Sequence, residues 1–268
     1  MSTILTTLRR SPGMVAVLTL LVAARAQAAE KIWDGAGASG GATNWGTGAN
    51  WDPDGVPVDG DALIFGHPFD TINFNDLNAA WFSWIWFSNS TWRLDGNGIR
   101  LSEGLTNSVS GTQTIGLSIT TTAAQVWHNG ISGSTVLLGG NAVVRLDAGI
   151  RLTGRGNFTI HGPITGSGAI TSSLRISAAT MVPTLQLTNG GNTFSGGLVI
   201  NDSNRVHVTA SGTAGSGNII ATNGGQLWLA TATNLAPLYL ADRGFVENAG
   251  ALGALRIDGG QSSVVQSM

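Results

Sequence analysis

From about residue 81 onward the chain is written in short apolar alternations. Ile99-Arg100-Leu101, Val143-Val144-Arg145-Leu146, Ile150-Arg151-Leu152, Leu185-Gln186-Leu187, Arg205-Val206-His207-Val208 and Gln226-Leu227-Trp228-Leu229 each place apolar residues two apart. That is the period of a strand with one buried face. Turn residues bound each run, as in Asp95-Gly96-Asn97-Gly98 and Asn223-Gly224-Gly225. No stretch carries a sustained helical period. Asn189-Gly190-Gly191-Asn192 recurs as Asn223-Gly224-Gly225-Gln226 and as Asp258-Gly259-Gly260-Gln261, at spacings of 34 and 35 residues. Short strands, glycine corners and a fixed spacing predict an all-β solenoid, a parallel β-helix.

Residues 29–80 read differently. They hold Trp33, Trp45 and Trp51, prolines Pro53, Pro57 and Pro68, and a dense acidic set. Loops with a few short strands are expected here, as a Trp-rich cap on the open end of the solenoid that occupies 81–268. Residues 1–28 read as a signal peptide. Arg9 and Arg10 precede the apolar run Met14–Ala24, and Ala26-Gln27-Ala28 is an A-x-A cleavage signal. The expectation is export, cleavage after Ala28, and no membrane span in the mature chain.

Composition sharpens this picture. Glycine is 39 of 268 residues, Lys31 is the only lysine, and cysteine is absent. An exported chain without disulfides must be held by packing and backbone ladders. A net charge of −2 gives no general attraction to nucleic acid.

Residues 185–229, "LQLTNGGNTFSGGLVINDSNRVHVTASGTAGSGNIIATNGGQLWL", resemble the autotransporter-associated β-strand repeat. Leu185, Leu187, Asn192, Thr193, Phe194, Gly196, Gly197, Ile200 and Val206 to Val208 fall on its pattern. The stretch "ITGSGAIT" (164–171) is similar to the entry of that repeat, although residues 172–184 replace its usual continuation. Trp33, Asn44-Trp45, Ala49-Asn50-Trp51, Val56-Pro57, Gly60-Asp61 and Phe65 are similar to the N-terminal module that accompanies such repeats. The resemblance implies a right-handed β-helix, secreted or displayed on the outer surface of a bacterium. Its implied role is structural or adhesin-like and not enzymatic, with surface glycans or other cell-surface proteins as partners. The sequence closes on "SSVVQSM" without the barrel that would end an autotransporter, so a passenger segment and a released protein both remain open.

Candidate chemistry is sparse. "WFSWIWFSNSTW" (81–92) packs four of nine tryptophans into twelve residues. Alternation sends Trp81, Ile85 and Phe87 inward, and Phe82, Trp84 and Trp86 outward. Burying one indole is worth roughly 4–6 kcal/mol gross, so outward rings call for a cover or a use. Either the N-terminal segment folds over them, or Trp84, Trp86 and Trp92 form a glycan- or partner-binding stripe. Ser83, Ser88, Asn89, Ser90 and Arg93 interrupt the run too early for a membrane segment. Asp52, Asp54, Asp59 and Asp61 could supply oxygen ligands to calcium, or could serve ordinary Asp-Gly turns. No other cofactor is expected. His67, His128, His161 and His207 share no metal-ligand spacing. Arg145, Arg151 and Arg155 lie near Asp147 and suggest either outward residues on adjacent strands or the arginine–carboxylate set of a polysaccharide-degrading β-helix enzyme.

Overall fold

The structure is a computed structural model. It describes residues 28–35, 43–176, 182–209, 213–230, 233–234, 236–241, 243–247, 250–258 and 264–265. The segment read as a signal peptide lies outside the described residues, apart from Ala28. Among the described residues, no helix is long and apolar enough to cross a membrane.

The chain winds as a parallel β-solenoid with three faces. The long face runs from Glu30–Trp33 through Ala62–Phe65, Trp81–Phe87, Ile99–Asn107, Gln125–Asn129, Ile150–Gly154, Ile170–Leu174, Leu198–Ile200 and Ile219–Ala221 to Leu238–Leu240, each strand parallel to the next. The second face is a nine-stranded sheet from Ile72–Asn75 to Leu255–Ile257. A shorter third face is built from Ile119–Thr121, Val144–Leu146, Ile164–Gly166 and the first residues of the two longest strands, Trp81–Phe87 and Ile99–Asn107.

Register explains why short alternations suffice. On the second face Leu94, Ile115, Leu138, Ile160, Leu187, Val208 and Leu229 sit directly above one another, all buried. Most of these strands bury only two or three side chains. Rungs lie about 4.8 Å apart, so successive inward residues form one continuous column. Full burial of each such side chain contributes about 1.5–3 kcal/mol.

From Ala62–Phe65 onward, partners one coil apart on the three faces are separated by 19 to 28 residues, as in Ile219 with Leu238 and Ile170 with Leu198. The spacing of 34 and 35 seen in the sequence is therefore not the coil period. Asn189 follows a second-face strand, whereas Asn223 precedes one. The same turn residues recur at different corners.

The Trp-rich cap closes the first coil. Trp33, Trp45 and Trp51 are all fully buried. Trp51 lies edge-on to both Trp33 and Trp45, at 5.1 and 6.0 Å between centroids, and Phe65 lies 5.8 Å from Trp45. The indole of Trp45 donates to Asn73 Oδ1 (2.7 Å) and that of Trp51 to the Trp45 carbonyl (2.9 Å). Ala62–Phe65 and Ile72–Asn75 are already rungs of the solenoid, so the cap proper ends near residue 61.

Candidate functional site

The aromatic run splits between core and surface, and one irregularity decides how. The pairing of Trp81–Phe87 with Ile99–Asn107 shifts register between Phe82 and Trp84. Ser83 therefore breaks the alternation. Phe82, expected outside, is fully buried, and Trp81, expected inside, is partly exposed. Trp92 is also corrected. It is buried at 2% exposure, 5.3 Å from Phe65, and its indole donates to the Asn89 carbonyl. It belongs to the buried core beneath the cap and not to a binding stripe.

Trp84 and Trp86 do face outward, and neither is fully covered. Their rings stand parallel, 15° apart with centroids 5.6 Å apart. They are stacked on each other and do not form a flat two-ring platform. Trp86 Nε1 donates to Ser108 Oγ (3.1 Å). The pair makes one thick aromatic wall.

Beside that wall lies a gap. The outward column of the long face runs Ala62, Trp84, Gly104, Val126, Arg151. Gly104 is fixed by its backbone. Its φ is 145°, and a Cβ there would come 2.1 Å from the Val126 carbonyl oxygen. The rung between Trp84 and Val126 thus carries no side chain, and the two flanking residues are about 9.6 Å apart along the ladder. The resulting slot, about 340 Å³, is lined by Trp84, Glu103, Thr106, Val126 and His128. His128 also borders a second cleft of about 470 Å³ on the same face. Arg151, Arg155 and Arg175 stand around this cleft, and Thr153 and Ser173 also line it. His128 Nδ1 and Thr153 Oγ1 are 3.0 Å apart and tie the two openings together.

The sequence had grouped Arg145 with Arg151 and Arg155. The structure separates them. Arg145 is on the third face, paired to Asp147 at 2.7 Å. Arg151 and Arg155 instead share the cleft with Arg175 and His128, neither of which sequence reasoning had placed there. Glycoside hydrolysis generally uses two carboxylates. Glu103 is the one carboxylate that lines either opening.

The four aspartates do not converge. Asp61 is buried, and its carboxylate accepts from the Ala29 and Val58 amides, both at 2.9 Å. Asp59 accepts from the Trp81 amide at 2.9 Å. Asp52 and Asp54 are exposed. Among the described residues, no three His, Cys, Asp or Glu side chains gather into a group fit to hold a metal ion. Asp59 and Asp61 fasten the cap to the first coil, and the geometry lends no support to calcium.

A second aromatic cluster lies on the outer side of the second face. His207 stacks on Trp228 at 3.9 Å, the Arg256 guanidinium lies 4.1 Å over the Trp228 ring, and Trp228 Nε1 donates to Asp258 Oδ1 at 2.8 Å. The cluster is closed on itself. Burial pushes the His207 pKa down, with Asp258 opposing and Arg256 adding to the shift. The unfolded chain therefore binds a proton on His207 at a higher pH than the folded chain does. Stability is complete above about pH 6.5 and falls as pH drops through 6.5 toward the lowered folded value. Denaturant midpoints measured from pH 8 to pH 5 should show this decline, and His207→Phe should flatten it while keeping the stack. An equal decline in that variant would assign the effect to another group.

Comparison with known proteins finds no family model, no curated protein and no solved structure that matches the chain.

Proposed function

We propose that the chain is an exported, non-enzymatic solenoid that holds a carbohydrate chain along the outer side of its long face, an adhesin-like role at a bacterial surface. The observation that carries this reading is the slot over Gly104. An indole wall stands on one side, Val126 on the other, and polar Glu103, Thr106 and His128 at the rim. Sugar rings have an apolar face and hydroxyl edges, and a shallow, open slot with one aromatic wall and a polar rim matches both. The resemblance of residues 185–229 to the autotransporter-associated repeat supports the surface role. There Leu185, Leu187, Phe194, Ile200, Val206 and Val208 all serve as inward packing residues. A scaffold of this kind also presents its outer face over many rungs without rearrangement.

The test is retention of the folded protein on a panel of immobilised polysaccharides. Trp84→Ala should weaken the best ligand about tenfold, the loss of one central aromatic contact. Trp84→Phe should restore part of it. Thermal midpoints of both variants should stay close to wild type, since Trp84 is on the outer face. Glycan binding that is unchanged in Trp84→Ala and in Val126→Glu would overturn the slot as the site. Failure to retain any polysaccharide would leave the solenoid as a stalk alone.

A further inference from the structure

The cleft next to the slot says which class of carbohydrate the long face takes. Where this fold places arginine outward it repeatedly neutralises it two residues later. Arg93 pairs with Asp95 at 2.6 Å, Arg145 with Asp147 at 2.7 Å, and Arg256 with Asp258 at 3.4 Å. Each is written Arg-apolar-Asp, so the pair forms across one outward step of a strand. Arg100, Arg151, Arg155 and Arg175 lack that aspartate, and the last three of them gather at the cleft. Two residues after Arg151 comes Thr153, and two after Arg155 comes Asn157. Among the described residues, no carboxylate lies within ion-pair distance of Arg151, Arg155 or Arg175.

The placement adds to the argument. Gly154 pairs with Leu174, so Arg155 and Arg175 leave the sheet from equivalent positions on adjacent rungs. Their backbones are about 4.8 Å apart. Two exposed guanidinium groups held side by side repel, and a third borders the same cleft from Arg151. An anion lying between them removes that repulsion and can accept bidentate hydrogen bonds. Thr153 and Ser173 line the cleft beside them with hydroxyls already held, Thr153 by His128 (3.0 Å) and Ser173 by Asn201 (2.6 Å).

We infer that the long face binds an acidic polysaccharide, with Trp84 stacking a ring in the slot while Arg151, Arg155 and Arg175 take carboxylate or sulfate groups of the same chain. This rests on the proposed carbohydrate reading and names the ligand's charge. His128 borders both openings, so one chain can occupy them together. Three guanidiniums in a chain of net charge −2 make a local site and not a general polyanion surface. Nucleic-acid tracks need more phosphate contacts than this face offers.

The experiment compares four polymers of similar length by calorimetry on the folded protein. They are a polyuronate, a sulfated glucan, the unmodified neutral glucan, and poly-glutamate as a charge control without sugar. One or both acidic polysaccharides should bind at least tenfold more tightly than the neutral glucan and poly-glutamate, and which of the two binds identifies the anion. The triple variant Arg151→Gln, Arg155→Gln, Arg175→Gln should lose roughly 100-fold in affinity and most of its salt dependence. Arg145→Gln, whose side chain is already paired on another face, should bind as wild type does. Equal binding of neutral and acidic glucans, or an unaffected triple variant, would overturn the inference while leaving the carbohydrate reading standing. Poly-glutamate binding as tightly as the polysaccharides would overturn both. Loss in the triple variant with no loss in Trp84→Ala would keep the acidic cleft and remove the slot.

Discussion

Trp92→Ala should destabilise the protein by about 3–5 kcal/mol, the range for emptying a large aromatic site in a packed core. Trp92 is 2% exposed, its ring lies 5.3 Å from Phe65, and its backbone amide donates to Gln113 Oε1 at 2.8 Å. It therefore joins the cap aromatics to the next coil. The chain of ring contacts Phe87, Phe65, Trp45, Trp51, Trp33 continues to the N-terminal end, with centroids 5.1 to 6.0 Å apart. A solenoid unfolds most easily from an open end, so loosening the cap should also expose the first coil. The outward Trp86→Ala should cost about 1 kcal/mol or less, as surface substitutions do. Urea midpoints read by the remaining tryptophan fluorescence give both numbers. Similar losses in the two variants would mean that Trp92 is not the core member and that the cap packs otherwise.

Fold and periphery were unequally legible in the sequence. Strand period is a local property, and the inward Leu, Ile and Val of each alternation are where the two-residue period puts them. Export of Trp84 and Trp86 to the outer side followed from the same rule. The rule failed at Phe82 because Ser83 interrupts the register, and nothing about serine at that point announces an irregular pairing. Such a bulge is fixed by which residues of the neighbouring coil it meets, Arg100 to Gly104, nearly twenty residues away. Coil length failed for a related reason. Gly and Asn turns occur at every corner, so their spacing mixes corners. The cleft was only partly legible: Arg-apolar-Asp triplets mark neutralised arginines, and Arg151 and Arg155 lack the aspartate, but so does Arg100, which lines neither opening. That they meet Arg175 and His128 is a matter of stacking between coils, which period alone does not reveal.

Asn129→Ala should cost about 2–4 kcal/mol although it removes no apolar contact surface of note. Asn129 is fully buried on the inward side of the long face. Its Oδ1 accepts from Asn107 Nδ2 one rung earlier (2.9 Å) and from Ser134 Oγ (2.6 Å), and its Nδ2 donates to the Asn157 carbonyl (2.9 Å). A Cβ on Gly156 would come 2.3 Å from this amide, so the corner is cut to hold it. At this corner the chain leaves the long face for the second face, and the carbonyl of partly buried Asn157 accepts from the inward amide. A buried polar group left without its partner costs about 1–3 kcal/mol. Alanine strips a donor from Asn157 and an acceptor from Asn107. Asn107 retains the Val109 carbonyl at 2.9 Å and Ser134 retains that of Ile131 at 2.6 Å, which keeps the total below the sum of the separate losses. Asn129→Asp should be at least as damaging, because a carboxylate would face the Asn157 carbonyl without a proton to give. A double-mutant cycle between Asn107 and Asn129 should return a coupling of roughly 1 kcal/mol or more, the signature of neighbours in one network. A loss under about 0.5 kcal/mol for Asn129→Ala would sink this account. The expected size matters for specificity as well as stability: the amide fits one stacking register of the coils, and a slip by one residue would turn it out and an outward side chain in.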